Sequence, residues 1–173
     1  IMAELPDSSR RTTHLFERGN WLVHGEEIQT NLPKSLLNDQ QDWQFENRLD
    51  LAEWLVSPDN PLTARVAVNR FWAVIFGQGI VTTLEDFGTQ APLPSHPALL
   101  DWLAVHFQED LAWSVKDLLK LFVMSATYQQ DAVATEKQLE LDPNNIYLSR
   151  ASRVRLSSEQ IRDQALAISD LLS

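Results

Sequence analysis

The chain has 173 residues, 44 % of them apolar, enough to bury the core of one domain. Fourteen Lys and Arg against 24 Asp and Glu give a net charge of −10, which disfavours nucleic acid or an anionic membrane face as the main partner. No cysteine is present, which excludes disulfides, thiolate metal sites, thiol catalysis and covalent c-type haem attachment, and five glycines are few for a β-sandwich or a phosphate-cradling enzyme.

Residues 1–45 show little helical period. Short β-friendly runs, Thr12–Arg18 and Asn20–His24, flank Gly19, and Gly25 and Pro33 punctuate the stretch beyond them. This predicts an extended N-terminal arm with a short strand pair lying across a helical body, anchored by Trp21 and Leu22. Residues 46–173 predict an all-α domain, an irregular bundle of about five helices near 47–57, 61–77, 96–109, 114–128 and 158–172. Leu51, Trp54 and Leu55 mark the first, which Pro58 stops. Asn60-Pro61 places a cap and a first-turn proline before the second. That helix carries Val66, Val68, Phe71, Trp72, Ile75 and Phe76 on most sides, the pattern of a buried central helix. After a turn-rich loop at 78–94, Ser95 is expected to cap a helix bearing Leu99, Leu100, Leu103 and Phe107. Ser114 and Asp117 open another along Val115, Leu118, Leu119, Phe122, Val123 and Ala126. Residues 131–148 predict a surface loop or a short helix. Ser157 and Gln160 form a capping box for a last helix whose Ile161, Ala165, Ile168 and Leu172 are expected to face inward. The predicted core is Trp54, Trp72, Phe76, Leu103, Phe107 and Phe122.

The chain begins Ile1-Met2-Ala3-Glu4 and stops at Asp170-Leu171-Leu172-Ser173, inside a periodic apolar pattern. It is expected to be an excerpt truncated at 173, so the lack of a signal peptide carries no information on compartment. No run approaches the ~18 apolar residues of a membrane span.

Fragments of catalytic motifs are present without their machinery. Asp86-Phe87-Gly88 spells the kinase tripeptide, but no glycine-rich loop or His-Arg-Asp loop accompanies it. Gly77-Gln78-Gly79 lacks the third glycine of a dinucleotide fingerprint, because Thr82 stands there. His24-Gly25-Glu26 resembles a zinc-deaminase pair without the cysteines, and His14, His96 and His106 have no metal-ligand spacing. Ser95, His96 and Asp101 contain the letters of a triad within two helical turns, but Ser95 reads as a cap. Glu85-Asp86 and Glu109-Asp110 are adjacent acids that would need partners from elsewhere to form a glycosidase pair. Neither a catalytic residue, a metal site nor a cofactor is therefore assigned.

Two polar groups stand out. Arg65, Asn69 and Arg70 lie inside an apolar helix and need partners; with Glu85, Asp86 and His96 they form a candidate clamp on the 78–96 segment, or a ligand site. At least one of the two arginines is expected to make a charge-assisted hydrogen bond to that segment or another chain region. Arg150, Arg153 and Arg155 form a candidate anion-binding cluster, for a carboxylate or sulfate.

The run from Asn47-Arg48-Leu49-Asp50-Leu51 to Ser57-Pro58 continues through Asn60-Pro61-Leu62-Thr63-Ala64-Arg65-Val66 and Val68-Asn69-Arg70-Phe71-Trp72. Phe76-Gly77-Gln78-Gly79-Ile80-Val81, Asp86-Phe87-Gly88, Pro94-Ser95-His96-Pro97, Leu99–Ala104 and Ser125–Gln130 come next, in that order. This series closely resembles the planctomycete-specific domain family known as domain of unknown function 1553, over about residues 46–170. The resemblance implies a C-terminal part of a large exported cell-envelope protein, often carrying a cytochrome c module, encoded beside sulfatases and other polysaccharide-handling genes. It transfers no catalytic residue. The expected function is a non-catalytic structural or docking module in such a periplasmic or cell-surface protein. Its partners would be other domains of the same polypeptide, polysaccharide, or a cytochrome c module. The alternatives are a polysaccharide-acting hydrolase or lyase domain and a redox-partner domain.

Overall fold

In the computed structural model, which describes residues 5–37, 43 and 45–172, a short strand pair forms in the N-terminal stretch as expected, but its second strand shares only His24 with the Asn20–His24 run. Strand β1 (His14–Phe16) and strand β2 (His24–Glu27) form a two-stranded antiparallel sheet, with His14 opposite Glu27 and Phe16 opposite His24. The chain is thus mostly helical with one small hairpin rather than all-α. Trp21 and Leu22 do not anchor it. They sit in the connection between the strands and are 70 % and 69 % exposed.

The chain divides into two compact units, Ile1–Thr63 and Ala64–Ser173. Helix α1 (Arg48–Val56) groups with the hairpin in the first. Asn47 caps it, accepting from the Leu49 and Asp50 N–H groups, while Asp50 accepts in return from the Asn47 N–H, a reciprocal box that satisfies first-turn donors. Of the α1 stripe only Trp54 is buried; Leu51 and Leu55 are exposed. Trp54 meets Phe45 edge-on at 6.4 Å, and Phe45 stacks on Trp43 at 6.1 Å. Trp54 is a core residue of this unit, not of the larger cluster in the second. Near the end of this unit, buried Asn60 accepts through its side chain from the Leu62 and Thr63 N–H groups at 2.8 and 2.9 Å, as its place before Pro61 predicts.

The second unit is built on α2 (Thr63–Phe76), α3 (Pro97–Gln108) and α4 (Val115–Met124), with a short α5 (Glu136–Leu141) and a terminal α6 (Ser158–Ile168). The polar 131–148 stretch, for which the sequence allows a loop or a short helix, thus holds α5. Helix α2 buries one stripe, Ala64, Val68, Trp72 and Phe76, spaced by four, with Asn69 beside it. It is not buried all round: Val74 is 63 % exposed. Trp72 stacks on Phe76 at 4.0 Å and meets Phe122 of α4 edge-on at 5.2 Å, while Leu100, Leu103 and Phe107 of α3 and Leu118 of α4 complete the buried cluster. Helices α3 and α4 are joined by a tight loop in which Ala112 and Trp113 take left-handed conformations, φ 44° and 63°, and Ser114 caps α4 through the Asp117 N–H. Helix α4 stops at Met124, where Ser125 turns its hydroxyl onto the Phe122 carbonyl at 2.6 Å.

Helix α6 departs most from expectation. Its capping box is present, Ser157 with Gln160, but Ile161, Ala165, Ile168 and Leu172 do not face inward. Ile168 is 82 % exposed and the helix has no buried residue. The amphipathic period is there in the sequence, and nothing among the described residues covers it. No helix among those residues is long and apolar enough to cross a membrane.

Candidate functional site

The polar residues of α2 divide into three different roles. Asn69 is fully buried. Its Nδ2 donates to the Val81 carbonyl and its Oδ1 accepts from the Val81 N–H, both at 2.9 Å. One side-chain amide therefore pairs a complete peptide group, which leaves no orphan donor or acceptor in the core. Gly79 makes this possible. A Cβ there would lie 2.3 Å from the Val81 carbonyl oxygen and 2.8 Å from Asn69 Nδ2.

Arg65 and Arg70 are not buried with Asn69, because they lie off the Ala64–Phe76 stripe. The Arg65 Nε donates to Asp101 on α3 at 2.7 Å, a half-exposed ion pair. Arg70 is exposed, and among the described residues its Nε reaches only the Leu84 carbonyl, at 3.5 Å. Neither Glu85 nor Asp86 receives an α2 arginine. Asp86 braces its own turn, accepting from the Gly88 N–H at 2.7 Å while its carbonyl takes the Thr83 hydroxyl at 2.7 Å. The sequence clamp thus resolves into one buried amide, one surface ion pair and a self-contained turn.

The end of the 78–96 segment is closed by Ser95 rather than His96. The Ser95 N–H and hydroxyl both donate to the Ile80 carbonyl, at 2.9 and 3.2 Å, and His96, not Ser95, occupies the capping position of α3. The His96 Nδ1 lies 2.9 Å from the Ser95 hydroxyl. Asp101, the third letter of the apparent triad, is taken by Arg65.

These segments border a cavity of about 670 Å³. One side is the end of α2 and the Gly77–Ile80 turn, with Ser95 and His96. The other runs from Asn144 to Arg155. That second wall is braced by its own polar side chains. Buried Asp142 accepts from the Ile146 and Tyr147 N–H groups at 2.8 and 3.0 Å. Asn145 donates to the Arg150 carbonyl at 3.0 Å, and Gln138 and Gln130 donate to the Ser149 and Leu148 carbonyls at 2.7 and 3.0 Å. Arg150 is spent on the same framework, its two Nη atoms donating to the Asp142 and Pro143 carbonyls at 2.9 Å each. Gly77, at φ +81°, lets the wall approach; a Cβ there would meet Val154 at 2.8 Å.

The three arginines of the predicted anion cluster all line this cavity, in different states. Arg150 is a structural brace. Arg153 and Arg155 are exposed and have no hydrogen-bond or ion-pair partner among the described residues. Among the described residues the lining contains no Asp and no Glu. The sequence brings the arginines to notice but not the cavity, whose walls come from separate stretches of chain. The histidines lie apart: His14 stacks on His24 at 4.9 Å in the hairpin, and His106 pairs with Asp110 at 2.6 Å and stacks on Trp102. Among the described residues no group of three or more His, Asp and Glu is placed to hold a metal ion.

No curated protein and no solved structure matches this chain. The family model described as PSD1, protein of unknown function (DUF1553), matches residues 47–173, from the cap of α1 through the whole cavity-bearing unit, and the chain belongs to that family.

Proposed function

We propose that this chain is a non-catalytic docking module of a larger exported, cell-envelope protein, and that it holds a polysaccharide-type ligand in the cavity beside the end of α2. The observation that carries the reading is the makeup of that cavity: braced walls, basic and amide side chains without partners among the described residues, and no carboxylate among the described lining residues. A polysaccharide hydrolase of the usual kind needs two facing carboxylates. The Ser95–His96 contact has no carboxylate to orient the histidine, because Asp101 pairs with Arg65. A wall fixed by its own side chains is instead suited to binding, since less ordering is left to be done when a ligand arrives. The cell-envelope setting and a neighbouring cytochrome c module rest on what the family resemblance implies.

The test is incubation of the chain with a polysaccharide panel, following its melting temperature together with release of reducing ends or unsaturated products. A raised melting temperature without product is expected. Product formation that is lost in Ser95→Ala contradicts the module reading.

A further inference from the structure

Resting on the docking reading, we infer that the cavity selects an acidic saccharide, one carboxylate or sulfate group being held between Arg153 and Arg155. Elsewhere in this unit the arginines with an acid in reach use it: Arg65 pairs with Asp101 and Arg162 with Asp163. Arg153 and Arg155 instead border the same cavity, whose described lining holds no acid, two planar forks whose donors suit a two- or three-oxygen anion. Arg150, bonded to two carbonyls, is the positioning residue that fixes the segment from which they project.

The rest of the lining favours a sugar over a peptide. Gln78, Asn144 and Ser152 line the cavity, and their side chains have no partner among the described residues. Amides and hydroxyls of this kind both donate and accept, which is what ring hydroxyls require. Peptide recognition by strand addition would need a free sheet edge, and the lining contains no strand. The net charge of −10 repels a densely charged polyanion, so the favoured ligand carries its acid groups spaced along a largely neutral chain.

Calorimetric titration of the full chain tests this with four probes: an oligogalacturonate, a sparsely sulfated galactan oligosaccharide, the neutral galactan oligosaccharide and a glutamate-containing peptide. At least one acidic sugar is expected to bind, and which one assigns carboxylate or sulfate. Binding weakens at least tenfold in the Arg153→Gln, Arg155→Gln double variant, weakens with added salt, and is unchanged in Arg162→Gln. Both substituted arginines are exposed, so folding is preserved, which the melting temperature checks. Equal binding of neutral and acidic sugars, unaffected by the double variant, overturns the inference while leaving the docking reading in place. Tighter binding of the peptide, or no binding of any probe, also overturns it. Cleavage of a bound sugar overturns the docking reading itself.

Discussion

Asn69 meets the peptide group of Val81 edge to edge, donating and accepting at 2.9 Å inside the core. Replacing it with alanine leaves the Val81 N–H and C=O without partners, and each unsatisfied group costs about 1–3 kcal/mol. Asn69→Ala is therefore expected to lose about 2–5 kcal/mol in denaturant unfolding. Arg70→Ala, which removes a long contact at the surface, should stay within about 0.5 kcal/mol. Gly79→Ala should resemble Asn69→Ala, because its Cβ collides with backbone, which cannot yield. Equal and small losses in all three would contradict the assignment. In the sequence Arg65, Asn69 and Arg70 look alike, three polar residues in an apolar helix. Only the buried stripe separates them, and apolar residues on the other faces, Val66, Val74 and Ile75, conceal its phase. Arg153 and Arg155 are legible as a basic cluster, whereas the unpaired amides beside them are not, since a Gln or an Asn in a loop gives no signal by itself.

The elements are legible where local rules set them. Capping signals at Asn60, Ser114 and Ser157 and the α4 stripe place their helices well, and the Trp72, Phe76 and Phe122 contacts lie in the core they imply. Trp72→Ala is expected to cost about 3–5 kcal/mol, the usual range for an aromatic truncation, and unchanged thermal unfolding would contradict its place in that core. Helix ends are less legible. Ser95 carries the signature of a cap, but a competing acceptor, the Ile80 carbonyl, takes its hydroxyl and moves the cap to His96. Periodicity in α6 is real, yet period alone does not supply a partner surface. With no buried residue, α6 should open locally at low cost, so its amides should exchange with solvent much faster than those of α2; comparable protection in both would contradict this. The Glu159 carboxyl at its start is held below its ordinary value, first by its own backbone N–H and then by the Ser157 and Ser158 hydroxyls. A lowered folded value means the charged form stabilises the helix start above the unfolded value of about 4.3. That contribution is lost as pH falls through the lower folded value. In an NMR titration Glu159 should accordingly titrate below its ordinary value, and Ser157→Ala should move it back up. An unmoved Glu159 would contradict the cap's share in the shift.

For the molecule as a whole, an acidic chain keeps a cavity lined by arginines and, among the described residues, by no acid. Composition alone argues against polyanionic partners, and on average that holds. The average conceals the local sign, because Gly77–Ile80, Ser95–His96 and Asn144–Arg155 come together only through the packing of α2 and the bracing of Asp142, Asn145 and Arg150. Residues so far apart in sequence carry no shared spacing from which a site can be recognised. The most direct measurement is a crystal structure of the full chain grown with an oligogalacturonate or a sparsely sulfated galactan oligosaccharide. The account predicts an intact sugar in the cavity, its acid group on Arg153 and Arg155 and its hydroxyls on Gln78, Asn144 or Ser152. A sugar seated elsewhere, such as against exposed Trp102, with the cavity empty, would contradict it.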